Sequence, residues 1–341
     1  MAMLIKKTIL FGLVFSLIFS QISIVFFPNW KTETSRMKTF YKQPKNSIDV
    51  LFLGTSTTLH AFSPLLLWDE YGFTSYNRAT DVQLPIVTYY YLMESLKYQQ
   101  PKVVVIDPRW LFFNYEVDDH EAWLRFAVDM MDISLTKVKL INEVMKSSKN
   151  QSFVSYLFPL LRYHSRWNEL TRLDFEEKSH IKYDFLRGYS PFKNTCLCEW
   201  PANFMEPSQT IAELNPQAEY YFKKIIDLCA EEKIEIVFVT VPKLMNWDYS
   251  KYLAMQNYSK ENNIKYLDFN TTELIEVINL DPLNDFQDRY HLNNNGAIKI
   301  SKHIGEYLSN MYNLPNKENK PEYKNWNADL FHFYSIEMAD E

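Results

Sequence analysis

Two short motifs near opposite ends of the chain carry the residue types of a nucleophile, a base and an orienting acid. Gly54-Thr55-Ser56 follows the apolar run Ile48-Asp49-Val50-Leu51-Phe52-Leu53, and Asp288-Arg289-Tyr290-His291 precedes a final amphipathic stretch. A serine hydroxyl attacks poorly until a base takes its proton. A carboxylate close to that base fixes the imidazole tautomer and stabilises the imidazolium that forms. Brought together, Ser56, His291 and Asp288 would pass an acyl group through an acyl-serine intermediate, to water in a hydrolase or to another hydroxyl in an acyltransferase. Each residue also has a plainer reading. Ser56 stands among Thr55, Thr57 and Thr58 in what could be a polar turn, and His291 could cap the last helix. His60, four residues after Ser56, reads as a backbone-bonded loop residue and not as a second base.

The elements that would position these residues alternate along the chain. Nearly continuous apolar runs predict strands over Ile48–Leu53, Thr74–Asn77, Lys102–Ile106, Ile234–Val241 and Lys265–Phe269. Between them lie helix signals: Ser63-Pro64 opening a helix that stops at Gly72, a helix from Pro85 through Leu96, and Asn215-Pro216 opening one with Phe222, Ile225, Ile226 and Cys229 on one face. Further helices are expected around Tyr252–Asn262 and over Gly296–Met311. Strands alternating with helices predict right-handed crossovers and a five-stranded parallel sheet in a three-layer αβα, flavodoxin-like arrangement. Ligands of such sheets bind beyond the carboxyl ends of the strands, and Ser56, Asn77, Asp107, Asp288 and His291 all fall in segments that follow a strand.

Composition bounds the setting. The chain of 341 residues is 47% hydrophobic and 23% charged, which is globular and not disordered. Thr8 to Phe27 is uncharged and long enough to span a bilayer, with Lys6 and Lys7 before it and Pro28-Asn29-Trp30 after it, the tryptophan suited to the far interface. An uncleaved anchor is favoured over a signal peptide because Phe26-Phe27-Pro28 is a poor cleavage site. Either reading exports the remainder, whose net charge is about −8 once the two lysines are set aside from the total of −6. Acidity and export argue against nucleic acid as a partner. Three cysteines, Cys196, Cys198 and Cys229, exclude a disulfide framework and a four-cysteine zinc site, and leave any single disulfide undetermined.

The chain divides into an anchor (1–30), a polar connector (31–46), the α/β domain (47–312) and a tail (313–341) in which Leu330-Phe331-His332-Phe333-Tyr334 is suited to pack back. Within the domain, about 110–209 breaks the alternation and reads as a helical, aromatic insertion whose Trp110, Phe112, Phe113, Trp123 and Trp167 are expected in its core. Asp118-Asp119-His120-Glu121 reads as a solvated loop, because consecutive residues seldom converge on one ion. His164 and Arg166 are either a buried polar pair within the insertion or, for Arg166, a fork suited to an anionic glycan or lipid head group. Asn150, Asn257 and Asn270 stand in sequons.

Gly54-Thr55-Ser56 and Asp288-x-x-His291 resemble the first and last blocks of the SGNH, or GDSL, hydrolase superfamily. The stretches Leu51–Ser56, Leu67–Gly72, Tyr76-Asn77, Tyr89–Leu92, Pro101–Asp107, Arg162–Trp167 and His291-Leu292-Asn293 are similar to membrane-anchored members of Gram-positive bacteria, in a layout like that of DltD and alginate O-acetylation proteins. The resemblance covers most of 47–310. It implies Ser56 as nucleophile, His291 as base and Asp288 as orienter, with no cofactor or metal. It also implies a cell-surface glycan or acyl-glycan substrate and partnership with a membrane-bound O-acyltransferase. Two blocks differ. The glycine whose N–H serves the oxyanion hole corresponds to Ala79, and the Gly-x-Asn block is replaced by Asp107-Pro108-Arg109, so Asn77 or Arg109 would have to supply the missing donor. The expected activity is acyl transfer or ester hydrolysis on surface polysaccharide, with O-acetyl the favoured group. A non-catalytic glycan-binding or scaffolding accessory is the main rival, and a lipid esterase with the insertion as a lid is the third reading.

Overall fold

The computed structural model describes residues 1–28, 31–175 and 184–339; Trp30, expected at a membrane interface, lies outside them. The chain begins with α1 (Ala2–Phe26), then α2 (Lys31–Tyr41), β1 (Val50–Leu53), a single helical turn α3 (Ser56–Leu59), α4 (Pro64–Tyr71), β2 (Ser75–Asn77), α5 (Pro85–Ser95) and β3 (Val103–Ile106). The insertion follows, with α6 (Glu121–Met130), α7 (Leu135–Ser147), α8 (Phe153–Leu157), α9 (Leu160–Tyr163) and α10 (Arg172–Phe175). The alternation then resumes as α11 (Pro216–Glu232), β4 (Glu235–Thr240), α12 (Tyr249–Glu261), β5 (Lys265–Asp268), α13 (Thr272–Ile278), α14 (Pro282–Asp285), α15 (Asn294–Met311) and α16 (Lys324–Ala339).

All five strands are parallel, in the order β2-β1-β3-β4-β5. This is the three-layer αβα sheet expected from the alternation, and each strand lies within its predicted span. Alternating side chains divide between its two faces, as a pleat requires. Leu51, Leu53, Val104, Ile106, Ile236 and Phe238 pack with residues of α5 and α11, whereas Val50, Phe52, Val103, Val105, Val237 and Val239 pack with Ile300, Ile304 and Leu308 of α15. The helix signals act as read: Gly72 ends α4 in the left-handed conformation, and the Asn215 side chain caps α11 by accepting from the Ala218 N–H.

The connector departs from the sequence reading, whereas the tail packs back on the body as its apolar stretch suggests. The stretch read as a polar connector is partly helical, and Met37 and Phe40 of α2 are buried in the main core. The C-terminal tail returns as α16, burying Trp326 and Phe333, and the Trp68 indole N–H donates to Asn327 Oδ1 at 2.8 Å. The polar link before α16 is itself pinned. Lys317 is buried, with Nζ 2.7 Å from Asp49 and donating to Ser47 O and Thr74 Oγ1. The insertion packs in the same core through Leu124, Val128, Leu140, Ile141 and Val144, but Trp123 and Trp167, expected inside it, are exposed at 43% and 71%. Arg125, stacked over the Tyr156 ring, and Tyr163, donating to Asp129 Oδ2 at 2.9 Å, fill polar positions there instead.

Gly188 brings the last part of the insertion back against β2. Its φ is +91°, and a Cβ there would stand 1.9 Å from the carbonyl oxygen of Asn77. Neither obstacle can yield without moving β2, so Gly188→Ala should destabilise the fold by about 2 kcal/mol or more. Urea unfolding monitored by circular dichroism measures this, and an unchanged midpoint would refute the packing described.

Candidate active site

The chain leaves β1 on one side of the sheet and enters β3 on the other, so the crevice at their carboxyl ends is the topological switch point. Leu53 is in register with Ile106, which places Gly54 beside Asp107 as the strands end. Gly54 leaves no room for a side chain: a Cβ would meet Thr58 Oγ1 at 2.3 Å and Asp107 Cβ at 3.0 Å. The chain turns there into α3, whose first residue is Ser56.

Ser56 is held between two tied threonines. Thr57 Oγ1 donates to Asp107 Oδ2 at 2.6 Å, and Thr55 Oγ1 lies 3.1 Å from Thr57 Oγ1. Arg109 donates through Nη1 to Thr55 Oγ1 at 3.0 Å and through its backbone N–H to Asp107 Oδ1 at 3.0 Å. The ring of bonds closes around Ser56 and leaves its own hydroxyl outside.

That hydroxyl meets His291. Ser56 Oγ is 2.8 Å from His291 Nε2, and Nδ1 is 2.9 Å from Asp288 Oδ2 and 3.1 Å from Oδ1. An ionised carboxylate only accepts, so Nδ1 carries the proton and Nε2 is the free acceptor for the serine proton. Asp288 also accepts from the backbone N–H groups of Tyr290 at 2.7 Å and His291 at 3.0 Å. Partial burial raises its pKa, but the bonds from the His291 ring and the Tyr290 N–H outweigh burial and hold it below the ordinary carboxylate value. The turn is set by Gln287 N–H donating to His291 O, and α15 starts three residues on, capped by Asn293 accepting from the Gly296 N–H.

The other sequence candidates separate into those at the cavity and those that are not. Asn77 is spent: its Nδ2 donates to Thr58 O and Phe62 O, and its Oδ1 accepts from the Ala79 N–H at 3.1 Å. Neither Asn77 nor Ala79 therefore offers a free donor to an oxyanion. Asp107 is buried inside the threonine ring. Arg109 lines a cavity of about 370 Å³ together with Thr55, Ser56, Val82, Trp110, Phe113, Asn114, His120, Asn246, Tyr290 and His291. Ser56 is the first residue of α3, so its backbone N–H has no acceptor within that helix and lies beside its own Oγ. His164 is exposed and bonds Leu161 O, while Arg166 donates to Phe26 O at 2.7 Å and to Asp174 at 3.1 Å. They form neither a mutual pair nor part of this cavity.

Several cavity residues escaped the sequence reading. The stretch Asp118–Glu121 reads as a solvated loop, yet its His120 lines the cavity. His120 stands edge-on to Trp110 at 5.7 Å, while Asp118 accepts from Ser148, Gln151 and the Lys149 N–H to fasten the turn. Val82 and Asn246 both line the cavity with positive φ, +45° and +64°, a region that costs a β-branched valine most. The last part of the insertion roofs the triad. Phe192 stacks on His60 at 3.8 Å and faces the edge of His291 at 5.8 Å. His60 bonds Ser190 O through Nδ1, and burial pushes its pKa down to about 3. Cys196 and Cys198 of this segment are joined by a disulfide, and Cys229 is free and buried in α11. Asn270, in one of the sequons, is fully buried with its amide bonded to Asp268 Oδ1 and Val241 O. Among the described residues no group of three His, Cys, Asp or Glu side chains could hold a metal ion.

No protein-family model matches the chain, and no curated protein matches it. Solved structures similar to it include an inferred acylhydrolase of Bacteroides fragilis NCTC 9343, at 10% identity over 82% of this chain and 97% of that one, with a TM-score of 0.39. A GDSL-like lipase of Bacteroides thetaiotaomicron VPI-5482 aligns at 9% identity over 83% and 99%, with a TM-score of 0.38.

Thr57→Val keeps the shape of the turn and deletes its bond to the buried Asp107 carboxylate. A bond to a buried charge contributes about 1.5–3 kcal/mol, and denaturant unfolding of the variant should show a loss in that range. Wild-type stability would show that the ring does not hold the turn.

Proposed function

We propose that the chain is an extracytoplasmic serine acyl-enzyme, anchored by α1, that hydrolyses or transfers acyl groups on cell-surface polysaccharide, O-acetyl being the favoured group. The observation that carries the chemistry is the Asp288–His291–Ser56 relay, with both hydrogen bonds at 2.9 Å or less along its shortest path. In this reading His291 Nε2 takes the Ser56 proton as Oγ bonds to the ester carbonyl carbon. The carbonyl oxygen becomes an oxyanion facing the Ser56 N–H and the Arg109 guanidinium. The tetrahedral adduct collapses as His291 returns its proton to the departing alkoxide, leaving acyl-Ser56. An entering hydroxyl, from water or from a sugar, then gives its proton to His291 and attacks the acyl carbon, and the reverse sequence frees Ser56.

Arg109 takes the place of the amide donor that the Asp107-Pro108-Arg109 sequence lacks. Its guanidinium is fixed by Thr55, so it stabilises developing charge without reorganising. The cavity supports a small acyl group on a polar acceptor: Trp110, Phe113 and Tyr290 offer flat apolar faces, and Arg109, Asn114, His120 and Asn246 offer hydrogen bonds around them. Support for the anchor is α1 itself, 25 residues long, apolar enough to cross a membrane and with no buried residue. Partnership with a membrane-bound O-acyltransferase rests on the sequence resemblance alone.

The accessory reading is favoured by one observation, that Asn77 and Ala79 have no donor left for an oxyanion. A fluorophosphonate probe separates the two. The full chain should label, and Ser56→Ala and His291→Ala should not; labelling equal to wild type in Ser56→Ala would remove Ser56 as nucleophile. Arg109→Met should lower p-nitrophenyl acetate turnover by about 10²–10³-fold, the usual effect of deleting an oxyanion donor. Unchanged turnover in that variant would exclude the guanidinium from the oxyanion hole, and faster turnover of octanoate than acetate would favour the lipid esterase.

A further inference from the structure

We infer that the insertion is seated in the outer leaflet of the membrane, its α8–α10 segment forming an apolar collar around the end of α1. The inference rests on the reading of α1 as a membrane-spanning anchor and adds a second, peripheral membrane contact to it.

The argument is one of length. The uncharged stretch from Thr8 to Phe27 rises about 30 Å at 1.5 Å per residue, which is the thickness of the hydrocarbon core with nothing to spare. Lys6 and Lys7 hold one end at the head groups, so Phe27 must reach the opposite interface. Phe19, eight residues before Phe27, then lies about 12 Å beneath that interface along the helix. The body of the protein packs against this buried stretch of helix and not only against its end. The Phe158 ring meets the Phe19 ring edge-on at 6.1 Å, and Tyr163 meets Phe27 at 5.6 Å. Arg166 donates to the carbonyl of Phe26 at 2.7 Å, placing a cation where the helix dipole is negative and fixing the insertion at that height.

Whatever surrounds Phe158 is therefore at hydrocarbon depth. Several of the side chains facing outward there are apolar and uncovered: Phe158 is 48% exposed, Leu161 50%, Leu173 51% and Phe175 66%. They sit on or beside the short helices that pack on α1. Trp167, 71% exposed and adjacent to Arg166, stands at the helix end, where an amphipathic indole suits the head-group boundary. Arg162, on the same short helix as Leu161, is ion-paired with Glu121 at 3.0 Å and is long enough to reach the head groups. A cluster of this kind in water would be an aggregation liability; against lipid it is a seat. The same insertion supplies Trp110 and His120 to the catalytic cavity, so the seat also sets the height of that cavity above the membrane.

Depth measurement on the full chain in phospholipid vesicles tests this. A nitroxide is attached to Phe158→Cys and, in a second variant, to Leu161→Cys; the native cysteines are disulfide-bonded or buried and do not compete. Circular dichroism confirms that each variant is folded. Expected is collision with oxygen and loss of collision with a water-soluble nickel complex, while a label on Val277→Cys, 72% exposed on α13, collides with nickel. A label on Phe15→Cys reads the anchor separately. Nickel access at Phe158 and Leu161 with none at Phe15 would overturn the collar and leave the anchor standing. Nickel access at Phe15 would overturn both. Positions 158 and 161 closed to oxygen and nickel alike would show a protein partner or a second copy covering them, and would overturn lipid as the occupant.

Discussion

The site depends on one buried carboxylate. Asp107 follows β3 at the switch point and, with 4% of its surface exposed, must find partners within the protein. It finds them on both sides of the crevice: the Thr57 hydroxyl from the turn after β1, and the backbone N–H of Arg109 from its own loop. Because Arg109 in turn bonds Thr55, the two loops are locked to one another with Ser56 between them. A neutral contact would let α3 drift. A buried charge penalises every geometry in which its bonds are stretched, and that penalty fixes where Ser56 Oγ points.

Lys243 completes the electrostatics behind the site. It is buried in the loop after β4, with no hydrogen-bond partner for Nζ and the Trp247 ring 5.0 Å away. Burial first, and then the charge of Arg109, push its pKa down to about 7, against the pull of Asp107 and Asp268. Its folded value lies below the unfolded one, so protonation opposes folding. That opposition is absent above the unfolded lysine value and grows as pH falls toward 7. Two cations and two carboxylates thus share the carboxyl edge of the sheet, and the guanidinium that reaches the cavity is the one already bonded to the serine turn.

What sequence reasoning could see was governed by range. Strands of the sheet are apolar on both faces, so Val103–Ile106 and Glu235–Thr240 announce themselves as runs, and Gly72 and Asn215 mark helix ends by local chemistry. Ser56, Asp288 and His291 were legible because chemistry restricts which residue types can form such a relay. Their approach followed from strand order. The turn α3 was not legible: Ser-Thr-Thr-Leu has little helix propensity of its own, and tertiary bonds to Asp107 hold it. Nor could sequence show that Asn77 is consumed by backbone carbonyls, since those belong to Thr58 and Phe62 and carry no side-chain signature. Nor is the main-chain partner of Arg166 legible, its acceptor being a backbone oxygen 140 residues away.

The insertion ties these parts together. Its first residues, Trp110 to His120, rim the cavity; its middle packs on α1 through Phe158, Tyr163 and Arg166; and its last residues return past Gly188 to lay Phe192 over the triad. His60 belongs to this roof. Held neutral by burial and donating from Nδ1 to Ser190 O, it adds no charge beside His291, so an imidazolium at His291 would meet the Asp288 carboxylate without an opposing cation in the roof. The roof also covers one side of a relay whose acid is half-exposed, with 47% of the Asp288 side chain open to solvent. Water can therefore reach the orienting carboxylate but not both faces of the imidazole. A serine site open at the acid and closed over the base orients its histidine through hydrogen bonds more than through burial, and the turn from Gln287 to His291, with its two backbone N–H groups on Asp288, supplies them.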